Sequence, residues 1–199
     1  MSTVTQHSTG RPPATSHAAI EAAAFRLFAE RGFEETTVDD IAEAVGVGRR
    51  TLFRYFPSKY DIPWGQFDQS LAYFRETLAA MPSDLPLWEA VHRGVVLFNT
   101  FEADVIAQHR ERMTLILKTP SLQAHSVLMY EQWRLVIAEY VAERRGLEPT
   151  DALPVTVGHV SLALAISSYE QWLRRPRSSL TSLLETSLES LRTYLGDAS

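Results

Sequence analysis

The chain has 199 residues, of which 45% are apolar, so it can bury a substantial core within one or two domains. Its formal net charge of −5 is ordinary for a cytoplasmic protein and argues against a protein that coats nucleic acid, which would be basic overall. The absence of cysteine excludes disulfides and thiolate metal sites, and the absence of any run of about 18 apolar residues predicts no membrane span.

Residues 1–10 lack the charged and apolar segments of a signal peptide, and we predict that residues 1–14 form a disordered tail. A first helix is predicted from about Ser16 to Arg31, because apolar residues recur on one face and Gly32 can end it. The apolar positions of this helix are Ile20, Ala23, Ala24, Leu27 and Phe28.

The second predicted helix begins at Thr37, which is followed three residues later by Asp40 in a pattern similar to a capping box. Asp39 and Asp40 also place negative charge where a helix N-terminus favours it. Gly46 is expected to end the helix, because glycine readily takes the left-handed conformation. The apolar positions of this helix are Ile41, Ala42 and Val45.

A third helix is predicted from about Gly48 to Tyr55, with Leu52, Phe53 and Phe56 on its buried side. Two short helices joined by a tight turn have the shape of a helix-turn-helix, whose second helix enters the major groove of DNA. The residues left on the other faces of this helix are Arg49, Arg50, Thr51, Arg54 and Tyr55.

These residues carry the donors that DNA recognition requires. Arg49 and Arg50 lie in the first turn, where a guanidinium group can reach guanine edges, a contact worth about 1–3 kcal/mol of discrimination. Thr51 can meet a phosphate or a thymine methyl group. Tyr55 and Lys59 suit phosphate contacts, which fix the position of the protein without reading sequence.

Charge is segregated around this motif. Residues 46–60 hold four basic residues and no acid, whereas residues 30–45 hold six acids and one base. A solvated basic helix is the alternative, but such segregation indicates a patch directed at a polyanion. The tail also contains a basic residue next to two prolines, Arg11, Pro12 and Pro13. An alternative to a disordered tail is therefore a basic arm that reaches the minor groove beside this patch.

A fourth helix is predicted from about Ser58 to Ala80, in which Pro63 forces either a later start near Asp61 or a bend. Further helices are expected at residues 85–99, 121–145, 152–174 and 178–195, with a broken helical region at 100–120. No strand pattern persists along the sequence. The predicted fold class is therefore all-α.

The segment 153–174 is apolar on nearly every face, so both of its sides must be covered. The last helix offers leucines at about 3.5-residue spacing, and the two helices together suit half of a four-helix dimer interface. Closure of a monomeric core is the alternative. A two-fold dimer through the helices at about 153–174 and 178–195 would require a palindromic DNA site.

The segment AAFRLFAERGFEETTVDDIAEAVGVGRRTLFRYFPSKYDI closely resembles the N-terminal DNA-binding domain of the TetR family of transcriptional regulators. Within that family, the run RYFPSKYDIPWGQFD is similar to regulators associated with the mycofactocin gene system. The specific match covers roughly residues 16–68. The positions that agree are Phe28, Gly32, Thr36, Thr37, Ile41, Ala42, Gly46, Val47, Thr51, Leu52, Tyr55, Phe56 and Lys59.

The resemblance implies a cytoplasmic homodimer with a three-helix DNA-binding domain at residues 15–61 and a helical ligand-binding and dimerisation domain at residues 62–199. It also implies a repressor that a small apolar or acyl-CoA-like ligand releases from a palindromic operator. Carried onto this chain, the base-contacting roles fall on Gly48, Arg49, Arg50 and Thr51. The phosphate-binding roles fall on Thr37, Tyr55 and Lys59.

In two positions the chain departs from the family pattern. Phe53 stands where a tyrosine is common, so one hydroxyl contact with DNA is absent. Arg50 stands where the family often has a small residue, which suggests a bulkier reader that favours guanine.

Bulky residues of the C-terminal region could line a small-molecule site, in which a few polar groups orient the ligand. For each residue taken alone, an ordinary place in the core or on a solvated face is the alternative. The basic residues favour an anionic head group, such as that of a long-chain acyl-CoA in several TetR relatives. The candidates are Trp88, His92, Phe98, His109, Arg112, Met113, Trp133, Arg134, Tyr169 and Trp172.

Two other function classes remain as alternatives. An all-α metal or small-molecule enzyme of the carboxylate class needs two Glu-x-x-His pairs, and the chain holds one, Glu89 to His92. The sequence contains no HExxH, P-loop, GxGxxG or GxSxG motif, so we expect no catalytic residue, metal or cofactor. A nonspecific nucleic-acid binder is the second alternative.

Overall fold

The computed structural model of this protein describes residues 15–196. The predicted tail at residues 1–14, with its alternative as a basic arm, lies outside the described residues. Within residues 15–196 all regular structure is helical, which confirms the all-α fold class. The chain divides into two compact units between Gly65 and Gln66.

The N-terminal unit contains α1 (His17–Arg31), α2 (Val38–Ala44), α3 (Arg49–Leu52) and the 3-10 helix Lys59–Trp64. Ser16 caps α1, because its Oγ accepts a hydrogen bond of 3.1 Å from the backbone N–H of Ala19. Every apolar position predicted for α1 is buried. The core of the unit also contains Phe33, Ile41, Ala42, Leu52, Phe56 and Ile62.

A complete capping box begins α2, as the sequence predicts. The Oγ1 of Thr37 accepts a hydrogen bond of 3.1 Å from the N–H of Asp40, whose Oδ2 accepts one of 2.8 Å from the N–H of Thr37. The hydroxyl of Thr37 also donates to Oδ2 of Asp40. This bond, then the bond from the Thr37 N–H, and then the positive charge of Arg31 lower the pKa of Asp40. Beyond α2, Gly46 takes a φ of +68°, the left-handed conformation expected of it.

The third helix is shorter than predicted, because α3 ends at Leu52 and residues 53–55 form a turn. Leu52 and Phe56 are buried, but Phe53 is 37% exposed, so its predicted place on the buried side is wrong. Leu52 and Phe56 lie four residues apart and share one face. Phe53 is adjacent to Leu52 and therefore points in another direction.

The fourth predicted helix is interrupted rather than bent. Ser58 caps the 3-10 helix, whose tighter turns contain Pro63, and Gly65 then takes a φ of +62°. The following helix, α4, runs over Phe67–Ala79 and so begins later than the alternative start near Asp61. The predicted domain boundary after residue 61 would fall inside the 3-10 helix, whereas the two units divide after Gly65.

The C-terminal unit contains α4, α5 (Leu87–Phe98), α6 (Ile106–Lys118), α7 (Pro120–Arg145), α8 (Ala152–Arg174) and α9 (Leu180–Gly196). The long helix α7 packs along α8 and also contacts α4, α5 and α6, while α9 lies on α8 and α5. The buried residues between them include Phe74, Val95, Trp133, Ile137, Val141, Ala165, Tyr169, Trp172 and Leu184. The region predicted as broken contains a regular helix, α6, from Ile106 onward.

Only part of α8 is covered by its own unit. A Cβ at Gly158 would lie 3.0 Å from the backbone oxygen of Arg134, so glycine permits the close approach of α7 and α8. On other faces, Leu153, Val155 and Val160 are exposed. By length and composition alone α8 could cross a membrane, since an 18-residue window within it has a mean hydropathy of 1.4. A core helix of a soluble protein passes the same test.

Candidate DNA interface and effector region

The N-terminal end of α3 presents the two arginines that the sequence analysis selected. Arg49 and Arg50 are both exposed, and Gly48 precedes them without a side chain that would block a close approach. Among residues 15–196, Arg50 and Arg54 form no hydrogen bond or ion pair, so their donors are available to a ligand. A guanidinium group in this state has five N–H donors for base edges or phosphates.

Arg49 is held in place by two neighbours. Its Nη1 lies 3.5 Å from Oδ2 of Asp39, and its Cζ lies 5.4 Å from the ring centroid of Phe53. These three side chains belong to α2, to α3 and to the turn that follows α3. The two adjacent arginines therefore differ, because one is bound from two sides and the other is free.

The three residues predicted to bind phosphate use their donors inside the N-terminal unit. Lys59 Nζ donates to the carbonyl oxygens of Phe33, Thr36 and Glu34 at 2.7, 3.0 and 3.3 Å. An ammonium group has three hydrogens, so this set satisfies all of them. The ammonium also lies 4.4 Å from the ring centroid of Phe33. Lys59 thus fastens the 3-10 helix to the loop between α1 and α2.

Tyr55 and Thr37 are engaged in a similar way. The hydroxyl of Tyr55 donates to the carbonyl oxygen of Thr15 at 2.7 Å, and the hydroxyl of Thr37 donates to Oδ2 of Asp40 at 2.6 Å. A phosphate oxygen only accepts hydrogen bonds, so each residue must give up an internal bond to donate to one. The sequence does not reveal these bonds, since Tyr55 and Lys59 donate to carbonyls far away in the chain.

In the C-terminal unit, three of the ten predicted effector residues come together. Nε2 of His109 lies 2.8 Å from the hydroxyl oxygen of Tyr169, and the ring centroids of His109 and Trp172 are 6.0 Å apart. Asn99 completes the cluster, because its Oδ1 accepts a hydrogen bond of 2.7 Å from the Tyr169 hydroxyl. The ring of Phe101 lies 3.9 Å from that of His109.

The proton positions in this cluster follow from its geometry. Burial raises the pKa of Tyr169, so its hydroxyl keeps its single proton, which it donates to Asn99. Burial, and then the charge of Arg112, lower the pKa of His109 to about 4, so the imidazole is neutral at pH 7. The Nε2–H of His109 must therefore donate to the oxygen of Tyr169.

An arginine next to this cluster fixes α6 to the end of α8. Arg110 donates through Nη1 to the carbonyl oxygen of Trp172, and its Cζ lies 3.8 Å from the Trp172 ring centroid. A weaker bond of 3.4 Å joins Nη2 to the carbonyl oxygen of Pro176. Together with the bond from His109 to Tyr169, these contacts hold the start of α6 against α8.

The other predicted effector residues are not in direct contact with this cluster in the same way, although several share its apolar core and the charge of Arg112 reaches His109. Phe98 and Trp133 pack on Phe74, with centroid distances of 4.6 and 5.3 Å, and belong to the apolar core with Met113. Trp88 is exposed on α5 and lies under Arg192 of α9, at 4.5 Å. The remaining three, His92, Arg112 and Arg134, are partly buried, and burial lowers the pKa of His92. Among residues 15–196, no cluster of three histidine or carboxylate side chains could hold a metal ion.

Comparison with known proteins assigns both parts of the chain. Residues 20–62 match the family described as bacterial regulatory proteins of the tetR family, and residues 85–196 match the MftR C-terminal domain. The chain is 46% identical over 175 residues to MftR of Mycobacterium tuberculosis, a protein named for the transcriptional regulation of mycofactocin biosynthesis, and the match covers 88% of each chain. The chain belongs to the TetR family.

Other TetR-family members support the same assignment. The regulator TcmR of Streptomyces glaucescens is 31% identical over 86% of this chain and 80% of its own length. FadR of Thermus thermophilus, a TetR-family repressor solved with lauroyl-CoA, is 26% identical, with a TM-score of 0.57 over 87% of this chain and 92% of its own. A TetR-family structure from Syntrophomonas wolfei, 16% identical with a TM-score of 0.63 over 89% and 93%, shows the shared fold.

The family assignment confirms the resemblance to TetR regulators and the function class expected from the helix-turn-helix. The chain is a DNA-binding transcriptional regulator, of a family whose members bind DNA operators and small molecules and function as dimers. The MftR C-terminal match also agrees with the similarity to mycofactocin-associated regulators.

Proposed function

We propose that this TetR-family regulator is a cytoplasmic homodimeric repressor that leaves a palindromic operator when it binds a small apolar or acyl-CoA-like effector. The observation that carries the proposal is the free guanidinium group of Arg50 next to that of Arg49, which contacts Asp39 and Phe53. Both arginines lie on a helix that the packed helix-turn-helix core holds in place. Such a pair suits base edges in the major groove.

Within the proposed DNA site, the roles of the predicted residues now divide. Gly48, Arg49, Arg50 and Thr51 would face base edges, because they form the N-terminal end of α3. Thr37, Tyr55 and Lys59 would act mainly by fixing the helices of the unit, and a direct phosphate contact would require each to exchange an internal bond. The free guanidinium of Arg54 is available for phosphate instead.

The exposed apolar side of α8 supports a dimer interface made with α9. Leu153 and Val160, which lie seven residues apart on one face of α8, are 45 and 39% exposed, and burial of such side chains against a second copy would remove them from water. On α9, Leu188 and Leu191 are partly exposed. A two-fold axis would bring four helices together, as in a helical bundle.

Val160→Glu is expected to convert the protein from a dimer to a monomer at micromolar concentration, because each protomer would bury an unpaired carboxylate in the proposed interface. Loss of the dimer should also lower operator affinity, since a monomer would bind only one half-site. Analytical ultracentrifugation measures the first effect. The control is Val127→Glu on α7, where the native valine is also exposed. A dimer in both variants would contradict the proposed interface.

Support for an acyl-CoA-like effector comes from the apolar C-terminal core and from FadR of Thermus thermophilus, which binds lauroyl-CoA. The cluster of His109, Tyr169 and Asn99 would supply polar groups within this core. A ligand that binds at this cluster would exchange these bonds, which join α8 to α6 and to the end of α5. This gives binding a way to shift the conformational equilibrium of the unit.

Acyl-CoAs of increasing chain length should raise the melting temperature progressively and release a fluorescent operator duplex in the same order. A ligand at about one hundred times its dissociation constant stabilises a protein by about 2.7 kcal/mol. Free CoA, which lacks the apolar chain, is the control for the head group. Equal effects of free CoA and long-chain acyl-CoA, or no effect of either, would contradict this effector class.

A further inference from the structure

The contacts that Asp39 and Phe53 make with Arg49 assign a role to an acidic residue on the proposed DNA-binding surface. Asp39 lies in the first turn of α2, and its carboxylate approaches Arg49 to 3.5 Å although both side chains are well exposed, at 69 and 61%. An ion pair so exposed to water contributes little to folding stability. The sequence therefore places a negative charge beside a DNA-reading arginine without a clear stabilising benefit.

The consequence for DNA binding follows from electrostatics. Phosphates compete with the Asp39 carboxylate for Arg49 and are repelled by that carboxylate, so Asp39 weakens contacts that depend only on backbone charge. The ion pair engages one end of the guanidinium fork. The remaining N–H groups of Arg49 can still donate to a guanine edge.

Phe53 restrains the same guanidinium from a second direction. Its ring centroid lies 5.4 Å from Cζ of Arg49, within the range of a cation–π contact, and the ring is 37% exposed rather than part of the core. Arg50, the adjacent residue, has neither restraint. The two arginines thus enter a complex with different freedom, and less side-chain entropy is lost when Arg49 binds.

We propose that Asp39 is a specificity-determining residue, which, together with Phe53, positions Arg49 for base contact and disfavours its use as a phosphate ligand. This inference rests on the proposed sequence-specific DNA binding. Asp39 acts through Arg49 and does not itself need to touch DNA. Its effect is on the ratio between operator affinity and affinity for unrelated DNA.

Asp39→Asn provides the test, with binding to the operator and to a scrambled duplex measured over a range of salt concentrations. We expect affinity for the scrambled duplex to rise, and the salt dependence of log K to steepen by about 1 for each protomer as Arg49 turns to phosphate. Operator affinity should rise less, so the specificity ratio should fall roughly two- to ten-fold. Phe53→Leu should lower the ratio without steepening the salt dependence.

Glu30→Gln, on α1, is the matched control, because it removes the same charge from an exposed side chain that does not contact Arg49. Thermal melting checks that each variant is folded. An Asp39→Asn protein with the specificity ratio and salt dependence of Glu30→Gln would overturn the inference. A native protein that binds operator and scrambled duplex equally would instead overturn the proposed function on which the inference rests.

Discussion

Arg50→Ala is expected to weaken operator binding by about 1–3 kcal/mol for each half-site, because a bidentate arginine–guanine contact contributes that much discrimination. Because a dimer binds two half-sites, the total loss of binding free energy should be twice as large. Affinity for a scrambled duplex should change far less, and the melting temperature should stay the same, since Arg50 forms no hydrogen bond or ion pair within residues 15–196. Fluorescence anisotropy with both duplexes measures the difference.

Lys59→Met is the informative comparison for Arg50→Ala. This substitution keeps the length of the side chain but leaves the carbonyl oxygens of Phe33 and Thr36 without their donor, at a cost of about 1–3 kcal/mol each. The variant should therefore lower the stability of the N-terminal unit and weaken all DNA binding together. If Lys59→Met left the stability intact and reduced only the salt dependence, Lys59 would be a phosphate ligand after all.

Lowering the pH from 7 to 4 is expected to remove about 3 kcal/mol of stability through His109 alone, the free-energy equivalent of the difference between a pKa of 6.5 and one of about 4. The unfolded chain takes up a proton at this residue as the pH falls through 6.5, whereas the native imidazole stays neutral until about pH 4. Protons therefore favour the unfolded state across this window, and stability falls as the pH falls.

Denaturant unfolding of the native protein and of His109→Gln, followed by tryptophan fluorescence, separates this effect from the titration of carboxylates. The glutamine amide can donate to Tyr169 but cannot titrate, so His109→Gln should lose less stability between pH 7 and pH 5 than the native protein. His159→Gln replaces an exposed histidine of α8 and should behave as the native protein does. Parallel pH profiles for all three proteins would refute the buried, neutral state of His109.

The parts of the fold that the sequence predicts well are those set by local interactions. The capping box at Thr37, the apolar face of α1 and the left-handed Gly46 all depend on residues within a few positions of each other. The interruption after Pro63 depends on more than the proline, which indicates a disturbance of the helix but does not distinguish a bend from a 3-10 turn followed by Gly65.

The site shows the same division between local and distant interactions. The exposed arginines follow from position on α3, whereas the internal bonds of Tyr55 and Lys59 depend on carbonyl oxygens that only the folded unit brings near. The sequence predicts Phe53 on the buried side of the third helix with Leu52 and Phe56, but its ring lies beside the guanidinium group of Arg49. The cluster of His109, Tyr169 and Asn99 joins three helical regions, and no sequence spacing indicates it.

Selection of bound duplexes from a random pool is the measurement that most directly tests sequence-specific reading by a two-fold dimer. The expected result is enrichment of a palindrome with guanine in each half-site, the half-sites being about 10 base pairs apart or a multiple of that spacing. Repeating the selection with Arg50→Ala should weaken the preference for guanine. A pool that stays random after successive rounds, with binding that depends only on salt, would contradict the account.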